Sequence, residues 1–281
     1  MIKRSIVVFL LIALSVFTMA CGTGSEDSTT VELGYVAWDS EIASTNVLKT
    51  VLEDEGFDVN ITDVSASLMY QGVAQGDFDG MVAAWLPTTQ ADYMVQYGDD
   101  LIDLGPNLTG TLIGLVVPAD APVNSIEDLV ETNYADGIIT GIEPGAGLMQ
   151  ATLTVIDSYG LDYELVEGSD ASMTATLADA IDNDEEVIVT GWTPHWKFAR
   201  WDLKYLEDPQ GIFGGEEQIH TLVREGFEAD NPEAFKIISN FEWTPDDMAE
   251  VMVMIADGTR AEDAARAWVD ANPDKVAAWT E

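Results

Sequence analysis

Residues 66–88 read ASLMYQGVAQGDFDGMVAAWLPT, and residues 171–195 read ASMTATLADAIDNDEEVIVTGWTPH. Each stretch passes from Ala-Ser through a helix-like segment and an acidic turn into an apolar strand, Met81 to Ala84 in one and Val187 to Thr190 in the other. Each then reaches Trp-x-Pro, as Trp85-Leu86-Pro87 and Trp192-Thr193-Pro194. The flanking order repeats too. Upstream of the first copy, Val31 to Val36 reads as a strand, Glu41 to Glu53 as a helix closed by Gly56, and Phe57 to Val64 as a second strand. Upstream of the second, Gly137 to Thr140 reads as a strand, Leu148 to Tyr159 carries a helical apolar stripe, and Tyr163 to Val166 reads as a strand. Strand–helix–strand–helix–strand, twice, specifies an α/β protein of two lobes, each a mostly parallel sheet flanked by helices.

The apolar strands Ile113 to Val117 and His220 to Val223 are the expected crossings between lobes, a two-strand hinge. Residues 31–112 plus 221–281 then form lobe 1 and residues 113–220 lobe 2, with a ligand cleft between them. The final segment reads as helices: Pro232 after Asn231 at a first turn, Thr244 with Asp247 as a cap, and Thr259 with Glu262 as a capping box.

The N-terminus reads as an address. Lys3 and Arg4 precede a short apolar run ending at Ala20, the pattern of a secretory signal over residues 1–20. Cys21, the only cysteine, follows at once, and Thr18-Met19-Ala20-Cys21 resembles a bacterial lipobox. The resemblance implies a diacylated Cys21, a lipid anchor to the membrane and a flexible tether over residues 21–30.

Charge narrows the function classes. The chain has 51 acidic and 11 basic residues, a formal charge of -40 over 281 residues, and removal of residues 1–20 would take two cations and no acids, leaving -42. Nucleic acid is excluded as a partner, since a polyanion is repelled and no basic cluster is present. Such self-repulsion suits a protein working in brine, where molar salt screens charge to within about 3 Å.

Catalysis finds little support. Two isolated histidines, His195 and His220, make no His-based metal site, and no phosphate loop or nucleophile elbow is present. No cofactor is expected. A secreted hydrolase of choline-type esters using Asp39 or Glu143 is the alternative, but neither has a nucleophile–base partner in sequence. The tryptophans say more. Trp38, Trp85 and Trp192 each follow a strand's carboxyl end, where open α/β sheets bind ligands. Indole faces recognise quaternary ammonium, at up to about 2 kcal/mol per desolvated contact. The turn Thr140 to Gly147, with Gly141, Ile142, Glu143 and Pro144, precedes a helix start and suits a carboxylate. Quaternary ammonium and carboxylate together describe a betaine.

Tyr35-Val36-Ala37-Trp38-Asp39-Ser40-Glu41-Ile42-Ala43-Ser44, Ala84-Trp85-Leu86-Pro87-Thr88, Thr140-Gly141-Ile142 and Thr190-Gly191-Trp192-Thr193-Pro194-His195-Trp196 resemble the glycine betaine/proline betaine-binding proteins of osmoprotectant ABC importers. The similarity runs from about residue 31 to the C-terminus. It implies a two-lobed periplasmic-binding-protein fold and an ABC permease with its ATPase subunit as partners. It also implies a prism of Trp38, Trp85 and Trp192 around the trimethylammonium group, with the Gly141 and Ile142 amides on the carboxylate. Some members of the family have a His on the carboxylate where this chain has Gln90. With an amide there, no titrating group is expected to face the ligand, so affinity should be flat between about pH 5.5 and 8.

Overall fold

The computed structural model describes residues 30–281. The expected signal, Cys21 and the tether up to residue 29 lie outside the described residues. The first run comprises β1 (Thr30–Tyr35), α1 (Asp39–Asp54), β2 (Asp58–Asp63), α2 (Ala66–Gln75), β3 (Gly80–Leu86), α3 (Ala91–Tyr97) and β4 (Leu101–Pro118). The second comprises β5 (Ile138–Thr140), α4 (Gly147–Tyr159), β6 (Glu164–Val166), α5 (Asp170–Asp182), β7 (Val189–Thr193), α6 (Lys197–Arg200) and β8 (Leu203–Tyr205). Then come β9 (Glu217–Arg224), α7 (Phe227–Asp230), α8 (Pro232–Asn240), α9 (Pro245–Ala256), α10 (Ala261–Ala271) and α11 (Pro273–Thr280).

The repeat seen in the sequence is a repeat in space. Strands β2-β1-β3 form one parallel set and β6-β5-β7 another. Antiparallel β9 and β4 join the two sets in the order β2-β1-β3-β9-β4-β7-β5-β6, with β8 also on β4. Both Trp-x-Pro segments carry a cis bond, Leu86–Pro87 and Thr193–Pro194.

The crossings fall earlier than the apolar runs suggest. Residues Leu101 to Thr111 of β4 pair with β9, and Leu112 to Val116 pair with β7, so the chain passes between sheets at Thr111–Leu112. Strand β9 already pairs with β4 at Glu217, so the return crossing precedes Glu217 rather than falling at His220. The apolar run marks the buried middle of β9, whose first residue is a buried glutamate.

Local chemistry explains the elements around the cleft. In α1 the acidic Asp39 and Glu41 occupy the first turn, where the helix dipole favours them, and Val47, Leu48, Val51 and Leu52 are buried. Thr244 and Asp247 cap α9 reciprocally, as read from the sequence. The box expected for Thr259 and Glu262 does not form. Helix α10 starts one residue later, with Arg260 at its N-cap, and the Arg260 guanidinium pairs with Asp263. Phe241 and Trp243, between α8 and α9, pack with Trp268 of α10 and Trp279 of α11, all buried. Among the described residues no helix is long and apolar enough to cross a membrane.

Candidate functional site

Trp38 sits between β1 and α1, Trp85 near the end of β3, and Trp192 near the end of β7. Two belong to the first sheet's side and one to the second's, and all three line one small apolar cavity, partly open to solvent. Ile113, Ile142 and Leu148 supply further apolar wall, and Thr89 and Gln90 supply its polar edge. Each indole is at most 6% exposed, so a ligand here would meet faces already desolvated.

The indole N–H groups are anchored unequally. Trp38 Nε1 donates to Glu143 Oε2 at 2.9 Å, from one lobe to the other. Trp85 Nε1 donates to Glu41 Oε1 at 2.7 Å. Trp192 Nε1 has no partner among the described residues, and the Lys197 ammonium lies 4.3 Å from the centroid of that ring.

Gln90 is fixed by its own bonds. Its Oε1 accepts from the Tyr70 hydroxyl at 2.8 Å and from the Trp85 backbone N–H at 2.9 Å. That orients the amide and leaves Nε2, buried and unpartnered, as a donor in a residue that lines the cavity. Buried donors without partners are uncommon, and this one suits a carboxylate.

The turn after β5 is arranged otherwise than its sequence suggests. The Gly141 N–H donates to the Val166 carbonyl at 2.8 Å, and Gly141 does not line the cavity. The Ile142 N–H faces Met149 Sδ at 3.2 Å, a weak acceptor. Pro144 is exposed and stands outside the cavity wall, while Glu143 reaches it only through Trp38. Parallel pairing of β5 with β6 is what occupies Gly141. The amides nearer the cavity belong to the first turn of α4: Gly147 and Leu148 line it, and the helix has no side-chain cap.

Several contacts cross the cleft and were not foreseen. Had Gly147 a Cβ, it would sit 1.8 Å from the Thr89 carbonyl oxygen. Thr89 is itself held by Glu217, which accepts from its backbone N–H at 2.9 Å and from its hydroxyl. The Tyr93 hydroxyl donates to the Gly145 carbonyl at 2.7 Å. The Asp39 N–H, at the start of α1, donates to Asp170 Oδ2 at 2.9 Å, and Trp196 Nε1 donates back to Asp39.

Asp39, Asp170 and His195 bring three ligand-type atoms within 4.8 Å of one another. Their hydrogen bonds occupy them. His195 Nδ1 accepts the Lys197 N–H at 3.1 Å, so Nε2 carries the proton and points it at Asp170 Oδ1, 3.1 Å away. A protonated Nε2 cannot ligate a metal. Burial, then the Lys197 charge, holds His195 well below its ordinary pKa and neutral. Burial pushes Asp170 up and Lys197 down, while their attraction opposes both shifts. Asp39 and Glu143, the carboxylates a hydrolase would need, both accept from indole N–H groups and neither lines the cavity.

Sequence reasoning missed Glu41, Glu217, Asp170 and Lys197, charged residues whose roles depend on partners far along the chain. Gly147 was read as the end of the Gly-rich turn but not as the residue that meets Thr89.

The family described as the substrate binding domain of ABC-type glycine betaine transport system matches residues 29–271. The glycine betaine/carnitine transport binding protein GbuC of Listeria monocytogenes is 47% identical over 165 residues, covering 57% of this chain and 54% of that protein. The chain thus matches about half the length of that relative. The crystal structure of lactococcal OpuAC, closed and complexed with glycine betaine, superimposes with a TM-score of 0.87 at 46% identity, covering 90% of this chain and 99% of that one. An ABC-transporter choline binding protein in complex with choline gives a TM-score of 0.84 at 27% identity, covering 90% and 92%. A family match over nearly the whole described chain, and a two-lobed α/β fold shared with these structures, place the chain in the family of substrate-binding domains of ABC-type glycine betaine transport systems.

Proposed function

We propose that this protein captures glycine betaine or a close quaternary ammonium analogue in the cleft and delivers it to an ABC permease with its ATPase subunit. The observation that carries the reading is the convergence of three buried indoles, drawn from both lobes, on one apolar cavity edged by an unpaired amide donor. The indoles take the trimethylammonium group. Gln90 Nε2 and the first turn of α4 take the carboxylate. Ile142 supplies wall, and Glu143 holds Trp38. The protein performs no chemistry: capture requires only that the lobes close over the ligand, and the cross-cleft contacts supply that closure.

Cys21 anchors the chain to the outer face of the cell membrane, and the acidic surface adapts it to high salt. Support for the second point lies in the charge of -40 and in exposed Arg pairs such as Arg266–Asp54 and Arg260–Asp263, which contribute little. The melting temperature should therefore rise by roughly 10 °C from low to molar NaCl, about 3 kcal/mol for a chain of this size. A melting temperature independent of NaCl would refute the salt adaptation.

Calorimetry in molar salt against glycine betaine, proline betaine, carnitine and choline tests the ligand class. Binding of at least one with a 1:1 stoichiometry and no turnover is expected, whereas release of products from a choline ester would favour the hydrolase. Gln90→Glu keeps the acceptor for Tyr70 and the Trp85 N–H but puts an oxygen where Nε2 stood. It should weaken glycine betaine by about ten-fold or more and spare choline, which has no carboxylate. Equal loss for both ligands would place residue 90 away from the carboxylate.

A further inference from the structure

Glu41 is fully buried in the first turn of α1. Among the described residues no Lys or Arg stands within ion-pair distance of it, and its Oε1 accepts from Trp85 Nε1 at 2.7 Å. The other oxygen, Oε2, is buried, with the Ser40 hydroxyl beside the carboxyl but outside hydrogen-bond geometry. An ionised carboxylate in that position is costly unless a positive charge lies near. The wall it backs is one of three indoles around a cavity suited to a cation.

From this arrangement we infer that Glu41 is a positioning residue that sets the cation selectivity of the cage through Trp85, with the ligand's quaternary ammonium as its missing counter-charge. The inference rests on the cage proposed above. Two physical effects act together. A carboxylate on the indole N–H fixes the ring and draws its polarisation so that the face becomes more negative, which deepens its attraction for a cation. The carboxylate's own field also reaches the cavity with little screening, because Glu41 is fully buried.

The linkage has a sign. Burial pushes the Glu41 carboxyl up to about 7, and the Trp85 N–H and then the Ser40 hydroxyl oppose the rise. A bound cation favours the ionised form, so affinity should be fully present above about pH 7 and fall as pH drops through it. The neighbours that share this electrostatic environment are limited. Asp170, on α5, opposes ionisation of Glu41. Asp39 on α1 and His195 on the far lobe stand behind Asp170, while the Lys197 ammonium lies against the Trp192 wall of the cage. From β3 the facing group is Trp85, and Arg266 of α10 is paired with Asp54 at the other end of α1. Glu143 holds Trp38 and stands on the opposite wall. This link replaces the flat pH profile expected from residue 90 alone.

The test compares wild type with Glu41→Gln, which preserves shape and the acceptor for Trp85 Nε1 while removing the charge. The probes are glycine betaine and 3,3-dimethylbutanoate, its isostere with carbon in place of the ammonium nitrogen, titrated in molar NaCl. At pH 8 the substitution should weaken glycine betaine by about ten-fold and leave the isostere unchanged or bound more tightly. The weakening of wild-type betaine binding between pH 8 and 6 should become shallower in the variant. Should the variant fail to melt as a folded protein, wild type alone decides. Its preference for glycine betaine over the isostere should then shrink several-fold from pH 8 to 6. Equal weakening of both probes, or a pH-independent preference in wild type, would overturn the inference and reduce Glu41 to a packing role. Absence of glycine betaine binding to wild type would overturn the cage itself.

Discussion

Replacing Gly147 with alanine is expected to cost the protein about 30- to 150-fold in betaine affinity while leaving both lobes folded. The added Cβ would lie 1.8 Å from the Thr89 carbonyl oxygen and 2.7 Å from its carbonyl carbon. Both are backbone atoms, and Thr89 is pinned by Glu217 through its N–H and hydroxyl, so neither side can yield cheaply. Gly147 opens α4 with no positive φ, and alanine suits a helix better than glycine. The strain therefore falls on lobe closure and not on the second lobe. Overpacking of this kind costs about 2–3 kcal/mol, which sets the fold-change given. Calorimetry for affinity and a melting curve for stability separate the two effects. Wild-type affinity in the variant would show that Thr89 and Gly147 need not meet for the ligand to be held.

The second large effect belongs to the tryptophans. Trp38→Ala, Trp85→Ala and Trp192→Ala should each weaken betaine binding by about 2 kcal/mol, near 30-fold, with modest changes in melting. Trp268→Ala should behave in the opposite way. Trp268 is buried to 1% exposure, edge-on to Trp243 and stacked on Trp279, and its loss should cost about 3–5 kcal/mol of stability. Betaine affinity of the surviving folded protein should match wild type. Unchanged binding in all three cage variants would move the cation site elsewhere.

Much of this was legible in the sequence because it is carried by local pattern. The duplicated strand–helix order, the Trp at each strand end and the polar residue five places after Trp85 are all short-range features. The turn after Thr140 was legible as a turn but not in its bonding, since the Val166 carbonyl that occupies the Gly141 N–H comes from a neighbouring strand. The crossings were displaced because apolar runs mark where a strand is buried, not where it begins. The carboxylates were the least legible. With 51 acidic residues, a buried Glu41 or Glu217 looks like any surface acid until the fold shows which indole or loop it holds. Pairs such as Asp39 with Trp196 and Trp38 with Glu143 join residues more than a hundred positions apart, and only the closed cleft brings them together.

The most direct test of the account is a crystal structure of the protein grown with glycine betaine in molar salt. The ammonium nitrogen should lie within about 6 Å of the ring centroids of Trp38, Trp85 and Trp192, with the carboxylate turned toward Gln90 Nε2 and the first turn of α4. A betaine bound outside this cavity, or one whose ammonium faces Gln90 while its carboxylate meets the indoles, would contradict it.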